Sequence, residues 1–254
     1  MLFLYKNGLK GGENIKIDNF LLFLSDNKYS QNTLKTYKGI LNKYSTIFND
    51  ISEIKSQISN YFNSPNTAWT HYNVVCSYMN WAKDKRIVKM KQFKMPKIPK
   101  VYRTVFKKDF LLEKTNINNG DSKKLIQKKM VIKFLFETGI RAEELKNIIK
   151  INPRTITVLG KGNKLREIFH CNETTINLNE FTFTTKTLRI WVKEILGKEF
   201  TPHSIRRSHA THLLTNGASP KMVMLQLGHE KIETTFRYLN LSIEDNWTIY
   251  SNSI

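Results

Sequence analysis

The sequence predicts a mainly α-helical protein of two domains, the second carrying a small β-hairpin among its helices. Three observations predict it. Apolar residues recur at three- and four-residue intervals through most of the chain, the spacing of one helical face. The strongest hairpin signal is RTITVLGKGNKLREIF, two β-branched runs around Gly160–Asn163. A lysine-rich stretch with Pro96 and Pro99 interrupts the helical rhythm, and prolines break helices in favour of an extended path. With 254 residues the chain can bury one large core or two modest ones, and 40% hydrophobic content with 15 Phe argues against disorder.

Residues 1–94 read as a domain of four helices. Ile17, Phe20, Leu21 and Leu24 share one helical face. Ser30 can cap a longer helix bearing Leu34, Tyr37, Leu41, Tyr44 and Phe48. SEIKSQISNYF forms a third helix and NTAWTHYNVVCSYMNWAKD a fourth. In the fourth, Trp69, Tyr72, Cys76 and Met79 make a stripe read as core rather than as a platform for stacked bases. From Lys83 to Arg103 there are nine basic residues against one acid, a segment read as extended. Its part from 95 to 103 is the linker. Lys94, Lys97, Lys100 and Arg103 are candidate contacts to a phosphate backbone, beside the plainer reading of a solvated linker.

Residues 104–254 form the second domain. A short helix is expected near Lys107 to Leu112, and DSKKLIQKKMVIKFLFETG is a strong helix running into Gly139. AEELKNII reads as a short helix, and the hairpin follows it. TTKTLRIWVKEILG is a helix stopped at Gly197. Thr201 caps the next helix, with Pro202 at its first position, where a missing N–H costs nothing. Ser219, Pro220 and Gly228 cap, start and stop another. The last helices are expected in KIETTFRYLNL and SIEDNWTIYS.

Charge narrows the function. The 41 Lys+Arg outnumber the 21 Asp+Glu, a net charge of +20 that repels itself unless a polyanion neutralises it; nucleic acid is the usual partner. Nine of the basic residues are Arg, so an Arg marks a place where a planar fork is wanted over a point charge. No apolar run reaches the ~18 residues of a membrane helix, and the start MLFLYKNGLKGGENIKI has no signal-peptide pattern. Cys76 and Cys171 stand far apart, which gives no disulfide framework and suits a reducing cytoplasm.

Four stretches carry candidate chemistry: TGIRAEEL at 138–145, LGKGNK at 159–164, HSIRRSHATHLL at 203–214 and LGHEKIETTFRYL at 227–239. GKGNK lacks the spacing of a nucleotide-binding loop. His209 and His212 stand three apart rather than the four of a helical zinc pair, so no metal and no cofactor is expected. His203 and Arg206, three apart, share a helix face.

These stretches resemble the tyrosine recombinases, the phage-integrase and Xer-like family. The family pattern is an Arg after a TG turn, a hairpin Lys, an H-x-x-R helix, an LGH turn and a Tyr soon after it. Arg141, Lys161, His203 with Arg206, His229 and Tyr238 occur in that order. By motif the resemblance covers roughly residues 104–250; over the N-terminal part it is only architectural. It implies a core-binding domain and a catalytic domain closing as a C-shaped clamp on double-stranded DNA, and a homotetramer on paired sites working through a Holliday junction.

The chemistry of the residues agrees. Two guanidiniums, Arg141 and Arg206, can each fork onto non-bridging phosphate oxygens and offset the charge of the transition state. Tyr238 would attack the phosphate to form a 3′-phosphotyrosine. Lys161, with Lys164 as its rival on the same hairpin, would protonate the departing 5′-oxygen. The resemblance implies that His203 orients the phosphate or handles the tyrosine proton. It also implies that His229 bonds a phosphate oxygen and that Glu144 steadies the active-site helix. Tyr250 is a rival nucleophile but lies too far beyond the LGH turn, and Arg207 stands where relatives often carry a second His. The segment after Tyr238 packs either in its own domain or into a neighbouring subunit. A type IB topoisomerase and a non-catalytic DNA-binding regulator of the same fold are the alternatives.

Overall fold

The computed structural model describes residues 12–99, 105–160, 164–171 and 183–230, with Trp247 and Ser251. The chain divides into two compact units, Met1–Lys100 and Val101–Ile254. Among the described residues no helix is long and apolar enough to cross a membrane.

Among its described residues the first unit packs five helices: α1 (Gly12–Asp26), α2 (Gln31–Tyr44), α3 (Ile51–Ser59), α4 (Pro65–Trp81) and α5 (Ile87–Lys91). Side-chain caps start two of them. Ser30 Oγ accepts from the Thr33 amide, and Asp50 accepts from the amides of Ser52 and Glu53, which satisfies donors a helix start leaves open. Ile17, Phe20 and Leu24 of α1 are buried as the spacing requires, against Leu41, Ile54, Val75 and Met79. Tyr44 donates to or accepts from His71 Nδ1 at 2.8 Å inside this core.

The α4 stripe belongs to the core, with Met79 fully buried and Tyr72 and Cys76 packed half-buried against it, although the deepest face of α4 runs through Ala68, His71, Val75 and Tyr78 and Trp69 is half-buried. The polar ends of the half-buried residues are satisfied: Trp69 Nε1 donates to the Pro96 carbonyl at 2.9 Å and the Tyr72 hydroxyl to that of Met90 at 3.3 Å. Lys83–Arg103 is not extended from its start: its first part folds back as α5 because Met90 finds a buried site in the core, and among the described residues the irregular stretch is Lys94 to Pro99.

The second unit contains α6 (Lys108–Lys114), α7 (Lys123–Thr138), a 3-10 turn (Glu144–Asn147), strands β1 (Ile148–Ile151), β2 (Thr155–Leu159) and β3 (Leu165–Phe169), then α8 (Thr185–Leu196), α9 (Pro202–Thr215) and α10 (Pro220–Leu227). The strands form an antiparallel sheet in the order β1-β2-β3, with Val158 opposite both Ile148 and Arg166. Ile156, Val158 and Ile168 are fully buried on one face of the sheet, in a core shared with Ile132, Leu135, Leu188 and Ile205. Among the described residues the fold is mainly helical with one small sheet, as expected, but AEELKNII is not a short α-helix. It splits into a 3-10 turn and β1, because the edge of β2 offers Ile148 and its neighbours hydrogen-bond partners. The expected helices KIETTFRYLNL and SIEDNWTIYS lie outside the described residues, apart from Trp247 and Ser251.

Candidate active site

The site is built where three helix ends meet. Gly139 closes α7 in the left-handed conformation, φ 60°, which glycine adopts without steric cost. A Cβ there would stand 2.4 Å from His209 Cδ2, so the position also demands glycine for space. The turn buries Ile140 and presents Arg141, whose backbone amide donates to Glu144 Oε2 at 2.9 Å and whose Nη1 donates to Glu144 Oε1 at 2.7 Å. Glu144 is only 3% exposed, so its carboxylate is held away from water. Burial pushes its pKa up, but the bonds from Arg166 and the Arg141 amide prevail and hold it below the ordinary carboxylate range.

Helix α9 supplies the second piece. Thr201 and Ser204 cap each other reciprocally, side chain to backbone amide at 3.2 Å both ways, which sets the helix start just ahead of the His203–Arg206 face. Arg206 is buried, and its guanidinium donates to the carbonyls of Gly139 and Leu227. His203 lies exposed one turn earlier, and Arg207 is also buried.

The third piece is the end of α10. Gly228 is left-handed at φ 59° and turns its carbonyl to accept from Arg141 Nη2 at 3.0 Å. The next residue, His229, is half-buried, and its amide donates to Met224 O at 3.0 Å. Burial first, then the positive charges of Arg206, Arg141 and Arg166 and the nearby His203 ring, push its pKa down to about 4. The imidazole is therefore neutral at physiological pH inside a cluster of cations. Such a cluster is complementary to an anion of the size and charge of a phosphodiester.

The structure thus brings Arg141, Glu144, His203, Arg206 and His229 together from three segments far apart in the chain. Lys164 stands apart in character: it pairs with Glu230 at 2.9 Å, both side chains well exposed. Lys94 and Lys97 are exposed in the irregular segment after α5. Lys161, Tyr238, Lys100 and Arg103 lie outside the described residues. Among the described residues no group of three or more His, Cys, Asp and Glu could hold a metal ion.

Sequence reasoning missed three participants. Arg166 on β3 donates to both Glu144 oxygens, Nη2–Oε2 at 2.6 Å and Nε–Oε1 at 3.3 Å, and through Nη1 to the Gln226 carbonyl at 2.8 Å. The scarcity of arginine was a signal that could have found it. The Gln226 side chain is buried and acts as a short strand. Its Oε1 accepts from the Phe169 amide and its Nε2 donates to the carbonyls of Phe169 and Thr138, each at 2.9 Å. His209 is packed edge-on to Phe136 with Nε2 buried and without a hydrogen-bond partner. Nothing local in the sequence marks either of these two.

Residues 171–244 match the model of the phage integrase family. The tyrosine recombinase XerC of Staphylococcus epidermidis is 31% identical over 164 residues, covering 52% of this chain and 55% of that protein. XerC of Staphylococcus haemolyticus is 30% identical over the same length and shares. The chain spans about half the length of the curated relatives it matches. Among solved structures, the Tn1549 transposon integrase in complex with circular intermediate DNA aligns with a TM-score of 0.68 at 15% identity, covering 95% of this chain and 99% of that one. The lambda integrase dimer bound to a COC′ core site aligns with a TM-score of 0.67 at 16% identity, covering 87% and 96%. At such identities the shared feature is the fold. The chain is thus similar to the phage integrase family over residues 171–244 and to the XerC tyrosine recombinases over about half its length, and it shares the fold of these solved integrases.

Proposed function

We propose that the protein is a site-specific DNA recombinase that cuts and rejoins duplex DNA through a 3′-phosphotyrosine. The observation that carries this is the convergence of Arg141 and Arg206 on the helix ends at Gly139 and Gly228, beside His203 and His229. In this reading Arg141 and Arg206 grip the non-bridging oxygens of the scissile phosphate, and His229 donates a hydrogen bond to one of them. Tyr238 Oη attacks phosphorus and passes its proton to His203. The bond from phosphorus to the 5′-oxygen breaks, and that oxygen takes a proton from Lys161. One phosphodiester replaces another, so rejoining needs neither ATP nor metal. A phenol of pKa ~10 is a better leaving group than an alkoxide, which favours religation.

The wider assignment follows the same reading. Residues 1–94 form the core-binding domain, 95–103 the basic linker and 104–254 the catalytic domain. Lys94, Lys97, Lys100, Arg103 and Lys164 contact DNA phosphates. The working form is a homotetramer on two paired sites in the cytoplasm. Incubating the protein with DNA from the flanks of its own gene and denaturing the mixture tests the chemistry: a covalent adduct is expected, and Tyr238→Phe should abolish it while binding DNA normally. An adduct that persists in Tyr238→Phe overturns the nucleophile assignment. Exchange between two sites, rather than relaxation of a single plasmid, separates recombination from topoisomerase activity.

A further inference from the structure

We infer that Arg166 is a positioning residue that docks the lysine-bearing hairpin onto the arginine cluster; this rests on the recombinase reading above. Arg166 is the second residue of β3, on the strand that leads out of the hairpin containing Lys161. Its own backbone pairs with Val158 across the sheet. Its guanidinium leaves the sheet and spans two other elements: both oxygens of Glu144, which in turn hold Arg141, and the carbonyl of Gln226 at the end of α10. The aliphatic stem lies against the glycine of the LGH turn, since a Cβ at Gly228 would stand 2.7 Å from Arg166 Cδ. The same stem approaches the hairpin base, 3.8 Å from where a Gly160 Cβ would be.

One side chain, 14% exposed, therefore touches the hairpin base, the Arg141 turn and the residue before His229. A sheet this small has little area with which to hold the hairpin at a fixed distance from a phosphate. A fork with three acceptors on two other elements supplies that constraint, and lysine, with one rotating ammonium, cannot reproduce it. The consequence is specific. Losing Arg166 should harm the step that needs the hairpin lysine, protonation of the 5′-oxygen, more than it harms DNA binding.

The test uses the full chain with Arg166→Lys, which keeps the charge and guards against misfolding, and Arg166→Ala. Duplex affinity should stay within about threefold of wild type, because one buried cation contributes little beside the exposed basic residues. Cleavage of ordinary DNA should fall at least about 100-fold, the lower end of what a general acid supplies. On DNA with sulfur at the bridging 5′ position, whose thiolate leaves without a proton, both variants should recover to within about tenfold of wild type. Hydrogen exchange in peptides from 155–169 should quicken in both variants, with α8 unchanged. Lys161→Ala is the control. If it recovers on sulfur and the Arg166 variants do not, Arg166 serves the arginine cluster alone and the inference is wrong. If Lys161→Ala does not recover, the acid assignment falls, and hairpin exchange decides the docking role: unchanged exchange overturns it.

Discussion

His209 should make the second unit sensitive to acid, by an amount the structure sets. The ring is almost wholly buried. Burial first, then the nearby positive charge of Arg206 and the His212 ring, outweigh its bond to the Phe136 carbonyl and push its pKa from 6.5 down to about 4. The unfolded chain binds this proton below pH 6.5 while the folded one does not, so stability is intact above 6.5 and drains away as pH falls towards 4. Each pH unit in that window costs about 1.4 kcal/mol, which gives a loss of about 2 kcal/mol at pH 5 and about 3 kcal/mol by pH 4. His209→Phe keeps an aromatic ring against Phe136 and removes the titration; the lost bond to Phe136 is a pH-independent offset of about 1 kcal/mol. Urea titrations at pH 7 and pH 5, followed by hydrogen exchange in α7 and α9 peptides, track this unit by itself. Wild type should lose about 2 kcal/mol more than His209→Phe between the two pH values. Equal losses would mean that His209 is charged in the folded protein, or that the acidic state opens elsewhere, and would refute the reasoning.

Gly139→Ala should destabilise the second unit by about 3 kcal/mol, combining a left-handed alanine with a Cβ driven into His209, and a thermal melt reads it. The same variant should cleave DNA poorly, because the Gly139 carbonyl holds Arg206. Tyr44→Phe should cost the first unit about 1–3 kcal/mol by leaving His71 Nδ1 buried without its partner, as a denaturant melt of that unit will show. Neutralising Lys94, Lys97 and Lys100 together should weaken binding to all duplexes alike and flatten its salt dependence, measured by titration at several salt concentrations. An unchanged slope would make the segment a solvated linker.

The sequence alone determined where most helices begin and end. Ser30, Thr201 and Ser219 cap helices, and Gly139, Gly197 and Gly228 stop them, because capping depends on residues within one turn of each other. It also named Arg141, Glu144, His203, Arg206 and His229, since the order and spacing of motifs survive in one dimension. Tertiary structure decided what those signals could not carry. Ile148 and Ile149 joined a strand because β2 offered an edge, although AEEL ahead of them favours helix. Which residues of α4 lie deepest was also a tertiary matter: Trp69 and Tyr72 stay half-buried because their polar ends reach the carbonyls of Pro96 and Met90. Arg166, Gln226 and His209 became part of the site only through groups that lie far along the chain: Arg166 meets Glu144 22 residues away, and Gln226 meets Thr138 88 residues away. Hydrogen bonds of that reach are satisfied by whatever packing brings near, and no local pattern records them.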